Sequence, residues 1–267
     1  MLDHAQRPML GPFALTRALE PCAIADRWLA LHEADNSSHV AYRFAAQKSR
    51  ADQRRFISAV ERAAALDESH LLKVEQVALD QTDTPWVICP FTGDADGIRS
   101  LARLLREKGG QLSPFEIEPA LTQILQGVSY AHTRQHCHGP VQMDEVLVDR
   151  HGRLIIELYG LRRALKGGGG FDTEVARDEV RSVAEIGYQL VTGLRCEEPL
   201  IPAGRLVRKL DRRWDAWFET ALDPTDGFDS ADEALAALPS AAAVEVTRRG
   251  PLAVRGVLEL IRPGRVE

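Results

Sequence analysis

The hydrophobic pattern changes its period near Gly93, and that change limits the folds open to this chain. Before it, apolar residues recur at every second position in "FALTRAL" (13–19), "DRWLALHE" (26–33) and "SHVAYRFA" (38–45), with "DNSSH" (35–39) supplying a turn. These stretches predict a three-stranded meander. "SRADQRRFISAVERAAAL" (49–66) then places Phe56, Val60, Ala63 and Ala64 on one face at helical spacing, which predicts a short amphipathic helix. "HLLKVEQVALD" and "PWVICPF" follow as two further strands, the second almost wholly apolar and therefore central or lining a cleft. After Gly93 the spacing becomes 3.6, predicting helices over Ile98–Lys108, Pro114–Gln135, Glu179–Thr192, Arg205–Leu222 and Ser230–Leu238, with Ser113 as an N-cap and Glu116 completing its box. Glu145–Leu158 reads as two short strands around the "DRHG" turn. A strand-rich first third followed by a helical remainder predicts an α+β protein of two lobes, 1–92 and 93–240, with a tail or linker over 241–267.

Composition narrows the setting. A net charge of −6 argues against a general nucleic-acid binder. Cys22, Cys89, Cys137 and Cys196 lie far apart, with no Cys-x-x-Cys pair, so reduced thiols in a cytoplasmic chain are expected. No stretch has the length and apolarity of a membrane span, and the first residues lack the pattern of a signal peptide.

Three motifs occur in a fixed order: "GVSYAHTRQHCHGPVQMDEVLVDRHGRLIIELYGL" (127–161), "SVAEIGYQLVTG" (182–193) and "ALDPTDGFDSADEALAAL" (221–238). Together they resemble the bacterial Ser/Thr protein kinase family over about Gly11 to Leu238, and the resemblance implies a bilobal kinase-like fold, an antiparallel sheet with one helix followed by a mostly helical lobe. Phosphoryl transfer in that family uses a lysine, a glutamate that holds it, a catalytic aspartate, and Asn and Asp for magnesium.

At the matching positions this chain carries Arg43, Ala59, Pro140, Glu145 and Leu158. Arginine is a planar fork where the family has a point charge; Glu61, two residues past Ala59, lies about 200° around the helix; and Pro140 has neither carboxylate nor N–H. The glycine-rich loop is replaced by Glu20, Cys22 and Ala25, and Arg27 stands where the family has an apolar residue over the nucleotide. Ala41, Cys89 and Leu147 match other positions lining that site, while His138, Tyr159, Gly160 and Gly193 match structural ones. The resemblance therefore implies a degenerate member: a pseudokinase without catalysis, binding ATP weakly or not at all, using no cofactor and no metal, and serving a protein partner as a scaffold or allosteric regulator of signalling. Two other readings remain open: a phosphotransferase or nucleotidyl transferase using Glu145, Glu157, Asp149 and Arg43, and the intracellular part of a longer receptor.

The remaining motifs have plain readings. His132, His136 and His138 in "HTRQHCH" have helical zinc-pair spacing, but no cysteine or carboxylate at fixed spacing completes a site. Trp214 and Trp217 have the spacing of a core face, "RADQRR" that of a solvated helix start, the glycines 167–170 that of a shortened loop, and Cys89 that of a buried inert thiol.

Overall fold

The computed structural model describes residues 8–239 apart from 48 and 81. The tail expected over 241–267 lies outside them. The chain divides into two compact units, Met1–Ile98 with Glu157–Gly169, and Arg99–Ile156 with Gly170–Glu267. The first boundary thus falls slightly later than the period change at Gly93, and the first unit takes back a segment from the middle of the chain.

The first unit holds β1 (Met9–Leu10), β2 (Phe13–Leu19), β3 (Asp26–His32), β4 (Ser38–Arg43), α1 (Arg50–Ala64), β5 (Gln76–Leu79) and β6 (Pro85–Pro90). Among the described residues the strands form a six-stranded antiparallel sheet ordered β1-β2-β3-β4-β6-β5. The meander is as expected. The strand β1 was not foreseen, because two residues are too few to show a period. One face of the sheet packs Leu10, Phe13, Leu15, Ala30, Ala41, Trp86 and Ile88 together. The other meets α1, where Phe44 and Phe56 stack edge-on at 5.0 Å. Ser49 starts α1 by accepting from the Asp52 N–H, and Asp52 pairs with Arg55, so the "RADQRR" start is an exposed helix turn.

The second unit holds α2 (Leu101–Glu107), α3 (Ile117–Thr133), a hairpin of β7 (Val146–Val148) and β8 (Leu154–Ile156), and, after α4 (Leu161–Leu165) of the first unit, α5 (Thr173–Thr192), α6 (Ala203–Leu206), α7 (Arg213–Leu222) and α8 (Ala231–Ala236). The helix α3 packs against α5 and α8. At its crossing with α5, Gly187 has no side chain where a Cβ would stand 2.8 Å from Leu121 Cδ1. Trp214, Trp217 and Phe218 are buried and mutually stacked, and Trp217 Nε1 donates to the Ala234 carbonyl at 3.0 Å, so the tryptophans are core.

Helix bounds differ from expectation in several places, α2 starting at Leu101 after its Ser100 cap among them, and three differences have a clear local reason. Residues 114–116 form a turn, and Glu116 turns its carboxylate back to the Ser113 N–H at 2.8 Å, so α3 starts at Ile117. Asp172 caps α5 by accepting from the N–H groups of Glu174 and Val175, which starts that helix six residues before Glu179. The expected Arg205–Leu222 helix is broken at Lys209, whose φ of 74° lies in the left-handed region, and restarts where the Asp211 carboxylate accepts from the Arg213 N–H.

Candidate active site

In the first unit the chemistry gathers on the α1 face of the sheet. Arg27 on β3 and Tyr42 on β4 are cross-strand partners, and both are buried. Glu157, 4% exposed, enters between them: Oε1 accepts from the Tyr42 hydroxyl at 2.6 Å, and Oε2 pairs with the Arg27 guanidinium. Arg27 Nη1 also donates to the Glu20 carbonyl at 3.1 Å, whereas its buried Nε has no hydrogen-bond partner among the described residues. Burial alone would lower the Arg27 pKa, but the adjacent Glu157 charge and its hydrogen bond raise it overall, so the guanidinium stays charged. The Tyr42 hydroxyl and the Cys89 thiol are raised as well, but here burial itself acts upward: burial, then the Glu157 charge, pushes both well above their ordinary values.

Strand alternation decides which expected residues reach this cluster. Arg43, next to Tyr42, is exposed and its guanidinium lies 5.8 Å from the Trp86 ring centre on the opposite face. Ala41 belongs to the same opposite face, in the core beneath β1. The side chain on β4 that faces Glu157 is Tyr42. Leu158 brings no charge to the network. It is buried with φ 44°, and this left-handed turn leaves Glu157 as the residue whose carboxylate joins the network. Ala59 is buried on α1 and brings no charge.

The loop between β2 and β3 carries Glu20, Cys22 and Ala25. Its Cys22 N–H is bonded to the Ala25 carbonyl at 3.0 Å, so that amide is engaged within the loop. Cys22, Ala25 and Arg43 do meet, around an open hollow of about 430 Å³ that also touches Phe44 and Thr84. Sequence reasoning had both Arg27 and Glu157 in hand but did not pair them. The available signal was two charges of opposite sign, each set in an otherwise strand-like apolar stretch.

In the second unit the loop 137–142 is held by buried polar groups. The Glu179 carboxylate, wholly buried on α5, accepts from the His138 and Gly139 N–H groups at 2.9 and 3.3 Å. Ser182 Oγ accepts from the Val141 N–H at 2.8 Å. Glu145 Oε2 contacts His138 Nε2 at 3.2 Å and accepts from the Gln142 N–H at 3.1 Å, so the residue expected at a magnesium position is tied into the loop itself. Asp149 caps the hairpin turn by accepting from the N–H groups of His151 and Arg153. Pro140 stands exposed at the loop apex, and Leu147 is buried on β7. Glu179 was missed as a site residue; its signal was a carboxylate inside an apolar helix face.

The curled antiparallel sheet with its helix, followed by a helical unit with a β-hairpin, defines a kinase-like fold. The family described as protein tyrosine and serine/threonine kinase matches residues 23–179, more than half of the chain, and the chain belongs to that family. Its fold is similar to that of the Mycobacterium tuberculosis PknI kinase domain, at a TM-score of 0.66 and 20% identity, covering 88% of this chain and 98% of that one. A mutant form of the same domain gives 0.67 and 19%. Among curated proteins, a serine/threonine-protein kinase of Yarrowia lipolytica is 34% identical over 67 residues, a stretch spanning 25% of this chain and 10% of that protein. The family match corrects the expectation that the chain is no enzyme: it points to a protein kinase enzyme. No helix among the described residues is long and apolar enough to cross a membrane.

Proposed function

We propose that this protein kinase-family domain acts in cytoplasmic signalling as a scaffold or allosteric regulator bound to a protein partner, with its nucleotide chemistry held in check by the Arg27–Glu157–Tyr42 network. The observation that carries this reading is the buried ion pair itself. Arg27 stands where the resemblance places an apolar residue over nucleotide, and Glu157 adjoins the position of a magnesium ligand, yet here the two neutralise each other. A charge engaged in this way is not free to meet phosphate or metal.

Phosphoryl transfer by such a member runs on Glu157 once the pair is parted. Of the displaced groups weighed from the sequence, Glu145 is bound to His138, Asp149 to its hairpin turn, and Arg43 faces the other side of the sheet. ATP binding by the isolated chain is accordingly weak, and a partner that draws Arg27 away strengthens it.

A thermal-shift titration with ATP, with and without magnesium, compares the full chain with Arg27→Val. The expected result is a small or absent shift for the natural chain and a metal-dependent rise for the variant, because a ligand that binds only the folded state stabilises it by mass action. A natural chain stabilised as strongly as the variant overturns the reading.

A further inference from the structure

The histidine-rich stretch 132–138 does not form the helical pair its spacing suggested. The structure brings together a different set: donor atoms of His132, Cys137 and Glu179 lie within 4.8 Å of one another. All three are buried, and they come from the last turn of α3, the loop after it, and α5.

One member, although at ion-pair distance from Glu179, is left without a hydrogen bond. His132 Nε2, on a side chain only 10% exposed, makes no hydrogen bond with any described residue although it lies 3.4 Å from Glu179 Oε2. An imidazole nitrogen enclosed without a hydrogen bond is costly, by about 1–3 kcal/mol. A cation bound by that nitrogen and by the neighbouring carboxylate removes the cost, and a thiol within reach supplies a third donor. Imidazole, thiolate and carboxylate together suit a borderline-soft ion of tetrahedral preference and do not suit magnesium. Phe171 stacks edge-on against the His132 ring at 5.7 Å and gives the group an apolar wall. The glycines 167–170 precede it, which leaves the backbone freedom for that wall to swing aside and admit an ion.

We propose that His132 Nε2, Cys137 Sγ and a Glu179 carboxylate oxygen bind a zinc ion, with water in the fourth position. Binding deprotonates the Cys137 thiol and releases that proton to solvent. The ion would fasten the end of α3 and the loop 137–142 to α5, the same helix whose Glu179 already accepts from the loop N–H groups. This replaces the expectation of no metal, and it does not depend on the kinase reading.

The test uses zinc and cobalt(II) alone, added to the full chain purified under reducing conditions. The expected result is one retained equivalent of zinc by elemental analysis, and with cobalt(II) a near-ultraviolet sulfur-to-metal charge-transfer band together with the visible bands of a tetrahedral site. Cys137→Ser abolishes the charge-transfer band, His132→Asn weakens zinc binding by about tenfold or more, and His136→Ala leaves both unchanged. Circular dichroism of each metal-free variant separates a lost site from a lost fold. A folded natural chain that takes up neither ion, a cobalt band that survives Cys137→Ser, or a site that depends on His136 overturns the proposal.

Discussion

Glu157→Gln removes the charge of the buried network while keeping its shape. The amide oxygen can still accept from Tyr42, but the NH₂ then faces the Arg27 guanidinium, donor against donor. Arg27 is 6% exposed and retains the Glu20 carbonyl and, at 6.0 Å, the Tyr42 ring, neither of them an anion, so its charge is left buried and uncompensated. Breaking a buried pair from one side costs about 3–5 kcal/mol. With a urea m-value of about 1–3 kcal/mol/M, the unfolding midpoint falls by about 1 M or more. Replacing both partners, Arg27→Met with Glu157→Leu, removes the stranded charge and recovers most of that loss. Urea titrations followed by tryptophan fluorescence and far-ultraviolet circular dichroism, run on Glu157→Gln, Arg27→Met, Glu157→Leu and the double variant, give the loss and, from the last three, the coupling energy. A cost for Glu157→Gln below about 1 kcal/mol, the range of exposed pairs, refutes the reasoning.

Other outcomes follow from the same geometry. Tyr42→Phe deletes the 2.6 Å bond to the Glu157 carboxylate and is expected to cost about 1.5–3 kcal/mol in the same titration. Ser182→Ala leaves the buried Val141 N–H without its 2.8 Å acceptor, for about 1–3 kcal/mol, and raises amide exchange across the loop 137–142. Trp217→Ala empties a core position and drops the bond to the Ala234 carbonyl, for about 3–5 kcal/mol. Stability also declines in alkali. Burial, then the Glu157 charge, raises the Cys22 and Cys89 thiol pKa values, so the folded state keeps protons the unfolded chain gives up; their contribution is full below the ordinary thiol pKa of about 8.5 and is lost as pH rises above it. Urea midpoints measured from neutral pH upward fall, and fall less steeply in Cys22→Ser with Cys89→Ala; equal slopes contradict this.

Fold was legible in the sequence because periods of two and 3.6 report which faces are buried, and the meander, α1 and α3 all came from that signal. Caps and breaks were less legible. Asp172 and Lys209 move helix bounds through a single hydrogen-bonding side chain or a single left-handed residue, and neither disturbs the hydrophobic period. On β4 adjacent residues point to opposite faces, so Tyr42 meets Glu157 while Arg43 lies over Trp86, and residue type alone does not say which of the two turns inward. The pairing of Arg27 with Glu157 joins residues 130 positions apart, which no local pattern carries. Glu179 shows in the sequence only as a carboxylate inside an apolar helix face, and the backbone N–H groups it accepts from leave no mark in residue type.

Whether the Arg27–Glu157 pair holds nucleotide chemistry in check is decided by titration calorimetry of magnesium–ATP into the natural chain and Arg27→Val, side by side. Apparent affinity is reduced by the fraction of molecules in the competent state. The account predicts that the variant binds at least about tenfold more tightly than the natural chain, a difference of about 1.4 kcal/mol. Equal affinities, or tighter binding by the natural chain, would contradict it.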